Sequence, residues 1–550
     1  MEKIKSKISG EIKDAFLCKE IGEVKISLLD KDKNILKTIH SLKDGTWSIY
    51  ITDDVKSLRF DKEGFVSKER MITPDFPSII RMLQNNLIGY QDKLWYSPGD
   101  LVTAYIHSPK EYNVRLIKHG LKNQQIENLG TFPAIYQDIP DEFFVVNGLN
   151  WEKAVEYKIP EKADSGLYSL ELVQVDGIQY NISFVLEPKI QHKTKDKRIL
   201  VLASTNNWQT YNIWGGRSRY RNFENPSSKK LTKKLFVMGI RFVPEKIKSL
   251  IKNSLKGKVV VTIKDHPNAS QFRRLSIRRP HPNCSVNGKS VGEAFTSHLA
   301  EGEWRILSWL EREGYEFDLI SGYQLHTNPQ VLRNYDLFIL STHCEYWSKI
   351  MFNGLKKFFN DGGSILNLSG NSIYREVEFY NDGSLHCTSL RFTDSVEDES
   401  QLIGVRFDMR GYGSCAPFKT LDSSHWVFEG TGLRNGDLFA DKSLNHFSGN
   451  SNKDFNSDPA SQPGMAPLIG NGGSGWETDK ITKTSPPDIK LLAKGMNKRR
   501  GGADMIIREP ENKGIMFSAS SITFGGSLLI DEVSSKIVNN VIKKSLSNKK

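Results

Sequence analysis

The chain has 550 residues, of which 38% are hydrophobic and 25% are charged, so it can form the cores of about three domains. This composition excludes a disordered or fibrous protein. Lys and Arg together number 76 against 64 Asp and Glu, which gives a net charge of +12. Residues 226–258 contain nine Lys and one Arg but only one acidic residue, Glu245, and so carry three quarters of that charge. The basic balance therefore belongs to one segment and does not indicate a nucleic-acid-binding surface over the whole protein.

The sequence favours a soluble, unexported protein. Its first residues lack the apolar core of a secretory signal, and no run approaches the roughly 20 apolar residues of a membrane span. The five cysteines are odd in number, widely separated and without CxxC spacing, which indicates neither a disulfide framework nor a thiolate zinc site. They are Cys18, Cys284, Cys344, Cys387 and Cys415. We expect a cytoplasmic location.

Residues 1–72 are predicted to form a small β-sandwich. Short runs such as 23–28 and 47–51 alternate polar and apolar residues, and turn sequences rich in Gly, Asp and Asn separate them. The order of strands and turns resembles a carboxypeptidase-regulatory-like (transthyretin-like) module. Such a resemblance implies an accessory or spacer domain.

A second β-rich region covers residues 86–190. The runs 101–107, 112–117 and 180–185 are typical of strands, with turn sequences between them. We expect another β-sandwich, which covers one side of the following domain. The region shows no cluster of acid, base and nucleophile.

Residues 196–547 are predicted to form an α/β doubly wound domain. Apolar strands at 198–203, 317–320, 336–340 and 364–368 alternate with helices, two of which are expected at 303–313 and 348–360. Apolar strands separated by amphipathic helices favour a parallel sheet covered on both faces. Ligands bind such sheets beyond the carboxyl ends of the strands. Three polar loops follow those ends, at 204–212, 341–347 and 369–371, and their convergence predicts a functional site there.

Several motifs resemble those of the N,N-dimethylformamidase large (β) subunit family. Residues 206–220, NNWQTYNIWGGRSRY, are similar to the family signature TxxWqAYNxWGGxSlY. Later motifs occur in family order: RRPH at 278–281, HCEYWS at 343–348, GWETD at 475–479 and FSASSIT at 517–523. The resemblance covers residues of about 200 to 545. It implies a fold distantly related to the class I glutamine-amidotransferase-like fold.

The resemblance also implies a mononuclear ferric iron, held by two tyrosines and one glutamate, that serves in hydrolysis of a small amide. Carried over by motif, Glu345 is the glutamate ligand and Tyr211 is one tyrosine ligand. The second tyrosine is open. Tyr220 lies in the same motif, whereas the tyrosine that commonly follows the family's Arg-Pro motif is replaced by His281.

Phenolate and carboxylate oxygens are hard, anionic donors that suit ferric iron, and two phenolates with one carboxylate would balance its charge. The resemblance gives catalytic positions to three further residues. Glu477 is expected to act as general base, while His343 and Asn371 orient or polarise the substrate carbonyl. His343 and Glu345 are two residues apart and point the same way if the chain is extended.

Two other functions remain open at this stage. In the first, Cys344 is the nucleophile of an amidotransferase-like hydrolase, since it closely follows a central strand, although it lacks the glycines of a strained nucleophile turn. In the second, the α/β site is degenerate and the chain is a binding scaffold. The Lys-rich insertion 226–258 is expected to be solvated or to bind an acidic partner. The sequence does not specify the amide, or whether a small second subunit or a homo-oligomer is required.

Overall fold

A computed structural model describes residues 4–142, 144–188, 198–219, 274–286, 298–444, 469–470, 472–498 and 501–547. The Lys-rich insertion 226–258 and Tyr220 lie outside the described residues. The chain is multidomain and rich in β-sheets. None of the helices in the described ranges is long and apolar enough to cross a membrane. Four of the five cysteines are buried, and Cys415 is partly buried.

The first region contains two sheets that share one core, an arrangement compatible with a β-sandwich. One sheet has the order Thr46–Thr52, Ile4–Asp14, Ile79–Met82, and the other has the order Ile35–His40, Lys25–Leu29, Ser57–Asp61, Lys68–Met71. Buried residues of both sheets pack together, among them Ile12, Ile80, Leu28 and Phe60. The resemblance to a carboxypeptidase-regulatory-like module stays a prediction.

The second region also contains two sheets around one core. One sheet has the order Val155–Lys158, Leu101–His107, Ile88–Gln91. The other has the order Gln124–Phe132, Tyr112–His119, Gly166–Gln174, Gln179–Leu186, Trp95–Tyr96. A short helix, Phe144–Asn147, packs on this core through Phe144 and Val145. The three strands predicted in this region are all present, and again the arrangement is compatible with a β-sandwich.

A nine-stranded sheet organises the third region. Its order is Phe317–Ser321, Ile199–Ala203, Leu337–Leu340, Ser364–Asn367, Met516–Ser518, Asp504–Arg508, Lys490–Gly495, Phe418–Thr420, Leu438–Phe439. The first five strands pair in parallel, which confirms the parallel sheet expected from the apolar runs. The other four pair antiparallel and were not predicted.

Helices cover both faces of the parallel strands, as predicted. Along the strand Ile199–Ala203, Leu200 and Leu202 face one core and Val201 and Ala203 face the other, because side chains alternate along a strand. The helices are Thr205–Tyr211, Ala300–Arg312, Gly322–Thr327, Lys349–Asn360, Phe392–Ser395, Ser400–Ile403 and Glu532–Ser547. Lys349–Asn360 packs on the core that contains Leu200 and Leu202. Ala300–Arg312 and Glu532–Ser547 pack on the core that contains Val201 and Ala203.

The remaining elements are short. A four-stranded sheet has the order Arg274–Leu275, Leu385–Arg391, Arg375–Phe379, Tyr346–Trp347. Three two-stranded pairs join Arg406–Phe407 to Asp479–Lys480, Cys415–Ala416 to Ser474–Gly475, and Ser443–Leu444 to Ile469–Gly470. The 3₁₀ helices are Pro282–Cys284, Pro329–Asn334, Trp426–Phe428 and Phe524–Ser527.

Candidate active site

Tyr211 and Glu345 meet at the carboxyl edge of the parallel strands. Tyr211 is the last residue of the helix that follows the strand Ile199–Ala203, and Glu345 follows the neighbouring strand Leu337–Leu340. The Tyr211 hydroxyl donates a hydrogen bond to Glu345 Oε2 at 3.0 Å. The sheet therefore brings together the two residues that the resemblance assigns to the metal.

His343 completes this group from the same loop as Glu345. Its Nε2 lies 2.9 Å from the Tyr211 hydroxyl and 3.4 Å from Glu345 Oε2. Its Nδ1 lies 2.9 Å from the carbonyl oxygen of Gly370. Because a carbonyl oxygen can only accept, Nδ1 carries a proton, and Nε2 faces the Tyr211 and Glu345 oxygens.

The charges around His343 oppose the effect of its burial. Full burial by itself lowers the pKa of the imidazole, but the hydrogen bond with Glu345 and the charges of Glu477 and Glu345 outweigh it. The net result is a pKa above the ordinary value. The site thus favours a positive charge at its centre, whether a proton or a cation.

Glu477 and Asn371 approach from two other loops. Asn371 Nδ2 donates to Glu477 Oε2 at 2.8 Å, and that oxygen lies 3.8 Å from His343 Nε2. Asn371 has a positive φ of 53°, and the adjoining Gly370 has no room for a Cβ because the Glu477 carbonyl contacts it. Burial raises the pKa of Glu477 to about 7, which suits a group that accepts a proton near neutral pH.

Asp479, His298 and Trp476 lie near the site and were not assigned a role from the sequence. Asp479 accepts hydrogen bonds from the backbone N–H of Asn371 at 2.7 Å and of Ser372 at 3.3 Å, and so holds the Asn371 loop. The ring of His298 lies 4.7 Å from that of Tyr211 and 4.4 Å from that of Trp476, between centroids. His298 lies two residues before the helix Ala300–Arg312. A helix leading into a parallel strand begins at the carboxyl edge of the sheet, and this signal could have identified it.

His281 is buried next to the Tyr211 loop. The preceding carbonyl, that of Pro280, accepts a hydrogen bond from Asn212 Nδ2 at 2.8 Å. His281 Nε2 has no hydrogen-bond partner within the part of the chain that the structure describes. Burial and the nearby charge of Arg279 lower its pKa to about 3, so the imidazole is neutral. Since Tyr220 is not described, the choice between these two ligands stays open.

Cys344 points away from this group, into the core on the opposite side of its loop. Its Sγ lies 2.9 Å from Ser204 Oγ and 3.2 Å from the Ser341 carbonyl oxygen. Burial raises the pKa of the thiol to about 12. A thiol that does not ionise near neutral pH is a poor nucleophile, so its surroundings argue against the Cys344 hypothesis.

The donor atoms present fit a metal ion. His343, Glu345 and Glu477 each offer a ligand atom, all within 4.8 Å of one another, and the Tyr211 oxygen is adjacent. One phenol, two carboxylates and one imidazole are donors that iron accepts. The concentration of acidic oxygens in a buried place also needs a positive charge to stabilise it. The fold and site together define an α/β-sheet protein with a buried, metal-compatible acid–base cluster.

The comparison with protein families gives this class a name. Residues 124–539 match the family described as N,N-dimethylformamidase beta subunit-like, C-terminal, and the chain belongs to that family. The match begins earlier than the motifs did, within the second β-rich region.

Individual relatives are distant. The chain is 22% identical to the N,N-dimethylformamidase beta subunit of Alcaligenes sp over 469 residues, and 21% identical to that of Paracoccus aminophilus. Each match covers 72% of this chain and 54% of the relative, so the chain spans about half the length of these curated relatives. Among solved structures, E. coli alpha-2-macroglobulin is 11% identical over 34% of this chain and 12% of its own, with a TM-score of 0.13. At that score the likeness specifies no fold.

Proposed function

We propose that the chain is an iron-dependent hydrolase that cleaves the C–N bond of a small amide. The observation that carries the proposal is the convergence of Tyr211, His343, Glu345 and Glu477 at the carboxyl edge of the parallel strands. Membership of a family named for N,N-dimethylformamidase subunits supports the same reaction class. The low identity leaves the particular amide open.

Tyr211 and Glu345 would hold the iron, with Tyr220 or His281 as the third ligand that the resemblance implies. Among the described residues, His343 is the nearest additional donor to this pair. When bound, a ferric ion supplies Lewis acidity, which polarises a carbonyl and makes a water molecule more acidic.

The protein's own groups supply proton transfer and orientation. The Glu477 carboxylate takes a proton from the attacking water and can later return it to the leaving nitrogen, which atom balance in amide hydrolysis requires. Asn371 holds that carboxylate through its Nδ2. His343, fixed by its Nδ1–H bond to Gly370, keeps Nε2 directed at the Tyr211 and Glu345 oxygens, and in its protonated form it stabilises negative charge there.

The test compares iron content and hydrolysis of a panel of formamides and other small amides. Tyr211→Phe and Glu345→Gln should each lose bound iron and activity together. Tyr90→Phe and Glu376→Gln are matched controls: Tyr90 donates to the Leu149 carbonyl at 3.0 Å, and buried Glu376 lies 3.3 Å from Lys349, both outside the site. Tyr220→Phe and His281→Ala then identify the third ligand by which of them loses iron. An iron-loaded wild-type protein that hydrolyses no amide would favour a non-catalytic scaffold instead.

Other parts of the proposal rest on the relatives. The two curated relatives are named as beta subunits, and we propose a second, smaller subunit or self-association for this chain too. The glutamine-amidotransferase-like relation of the central sheet and a cytoplasmic location belong to the same proposal. An acidic partner of residues 226–258 is tested by salt-dependent binding to a polyanion.

A further inference from the structure

A turn in the N-terminal region is organised by one buried carboxylate. Asp14 ends the strand Ile4–Asp14, and its Oδ1 accepts hydrogen bonds from the backbone N–H of Phe16 and Leu17, both at 2.8 Å. Its Oδ2 accepts from the N–H of Lys19 at 2.9 Å. Three backbone donors on one side chain fix the conformation of the turn at residues 14–19.

This turn contacts the loop that follows Tyr211. The Phe16 carbonyl oxygen accepts two hydrogen bonds, from Gly215 N at 2.9 Å and from Gly216 N at 2.8 Å. In the opposite direction, Cys18 Sγ donates to the Gly215 carbonyl oxygen at 3.3 Å. The turn therefore binds the backbone of both glycines of the WGG sequence.

The two glycines are necessary for this approach. Gly215 and Gly216 have φ angles of 95° and 80°, which side chains rarely adopt. A Cβ at Gly216 would collide with Cys18 Sγ, and one at Gly215 would collide with Val145. The double glycine thus admits the N-terminal turn on one side and the short helix Phe144–Asn147 on the other.

The same loop is held from the inside by Arg279. This buried guanidinium donates through Nη1 to the carbonyl oxygens of Trp214 at 2.5 Å and Asn212 at 3.3 Å. Tyr211 lies immediately before this segment. The backbone from Asn212 to Gly216 is therefore fixed between Arg279 and the N-terminal turn, and its first residue sets the position of Tyr211.

We propose that the turn at residues 14–19, organised by Asp14, positions Tyr211 for its role in the active site. The turn lies outside the family match at 124–539, so a region without the family's sequence completes the support of a site residue. The hydrogen bonds establish the contact between the turn and the two glycines. The consequence of this contact for catalysis rests on the proposed function. Asp14 is a positioning residue, since it acts through Phe16 and the two glycines.

The test compares Asp14→Ala with Asp30→Ala in the full-length protein. Asp30 is a matched control, because it organises a turn of the same region through the N–H groups of Asp32 and Asn34, both at 2.8 Å, but does not contact the WGG loop. Amide hydrogen exchange is followed in peptides covering residues 209–217. Asp14→Ala should accelerate exchange there by about tenfold, as expected for loss of a capping carboxylate. Asp30→Ala should leave these peptides unchanged.

Ferric iron is the second probe. In Asp14→Ala its affinity should fall by about five- to tenfold, and the absorption of any iron–phenolate complex should shift, whereas both stay at wild-type values in Asp30→Ala. A folded Asp14→Ala protein with unchanged exchange at 209–217 overturns the proposal. So does accelerated exchange with unchanged iron affinity and absorption, because the turn would then hold the loop without positioning Tyr211.

Cys18→Ala keeps the experiment decisive if Asp14→Ala does not fold. It preserves the carboxylate contacts of the turn and removes the thiol contact with Gly215. A smaller acceleration of exchange is therefore expected in the same peptides. An exchange rate equal to that of the wild-type protein would contradict the proposal. If the wild-type protein neither binds iron nor hydrolyses amides, the proposed function fails, and the exchange of Tyr211 and its neighbours alone decides whether the turn positions them.

Discussion

Two buried ionic clusters in this protein differ in how their charges are balanced. In the first, Lys68 Nζ donates to Asp141 Oδ1 at 2.6 Å and to the carbonyl oxygens of Arg81 at 2.7 Å and Ile139 at 2.9 Å, while Arg70 pairs with the other Asp141 oxygen. In the active-site cluster, Glu345 and Glu477 share a single imidazole. The first cluster satisfies its own charges, whereas the second accumulates like charges.

This difference separates a structural ion pair from a functional one. The Lys68 cluster joins the strands Lys68–Met71 and Ile79–Met82 to the segment 139–141 of the second region, and its opposite charges compensate for desolvation. In the active site, burial raises the pKa of Glu477, and the nearby charge of Glu345 raises it further. Clusters that store such unfavourable charge are characteristic of catalytic and metal sites.

The largest effect on this comparison is expected from Glu477→Gln. The variant should retain iron, because Tyr211 and Glu345 are unchanged, but lose about 10²- to 10⁴-fold in kcat for amide hydrolysis, as for loss of a general base. The amide oxygen of Gln can still accept the hydrogen bond of Asn371. Steady-state kinetics and metal analysis on the same sample check both parts. If the variant loses its iron, Glu477 is a ligand and the assignment as base is wrong.

Asp141→Asn should reduce the stability of the protein rather than its activity. Loss of the carboxylate leaves the buried ammonium of Lys68 without its closest counter-charge, which should lower the free energy of unfolding by about 3–5 kcal/mol. Iron affinity of the folded protein should change little. Denaturant unfolding measures the loss, with Asp138→Asn as the control. Asp138 is 65% exposed and contacts the same two cations, so its removal should cost less than about 1 kcal/mol.

Site residues at the strand ends were predictable from the sequence, whereas those held by long-range contacts were not. The apolar runs predicted to end at Leu340 and Leu368 located the strand ends to within one residue, so the convergence of His343, Glu345 and Asn371 followed from sheet geometry. Glu477 comes from a distant glycine-rich loop, and only the family motif indicated it. The antiparallel strands Phe418–Thr420 and Leu438–Phe439 are too short for a periodic pattern to identify. Contacts such as that between Phe16 and Gly215 are long-range and leave no local signal.

Glu187 tests on a smaller scale how burial disfavours the ionised form of a carboxyl group. Glu187 Oε1 accepts a hydrogen bond from the Ser321 backbone N–H at 3.1 Å, and burial raises its pKa from 4.5 to about 8. The folded protein therefore keeps a proton that the unfolded chain releases above about pH 4.5, and stability should fall as pH rises from 4.5 to 8. Glu187→Gln should remove this contribution.

At pH 5 the Glu187→Gln and wild-type proteins should have similar stability. At pH 8 the variant should be the more stable, since each pH unit across the upper part of the window contributes up to about 1.4 kcal/mol. Unfolding by denaturant at several pH values measures the difference, with exposed Glu152→Gln as the control. A pH-independent difference would show that Glu187 is ionised in the folded protein.

The smallest effect is expected from Cys344→Ser, which decides between the metal site and the thiol as the seat of chemistry. The serine hydroxyl can keep the contacts with Ser204 and the Ser341 carbonyl, so stability should change by about 1 kcal/mol or less and hydrolysis by about twofold or less. Iodoacetamide should inactivate the native protein only slowly, because burial raises the pKa of the thiol to about 12. Rapid stoichiometric inactivation, together with an inactive serine variant that still binds iron, would transfer the nucleophilic role to Cys344. In that case Glu345 and Glu477 would assist a covalent mechanism at Cys344.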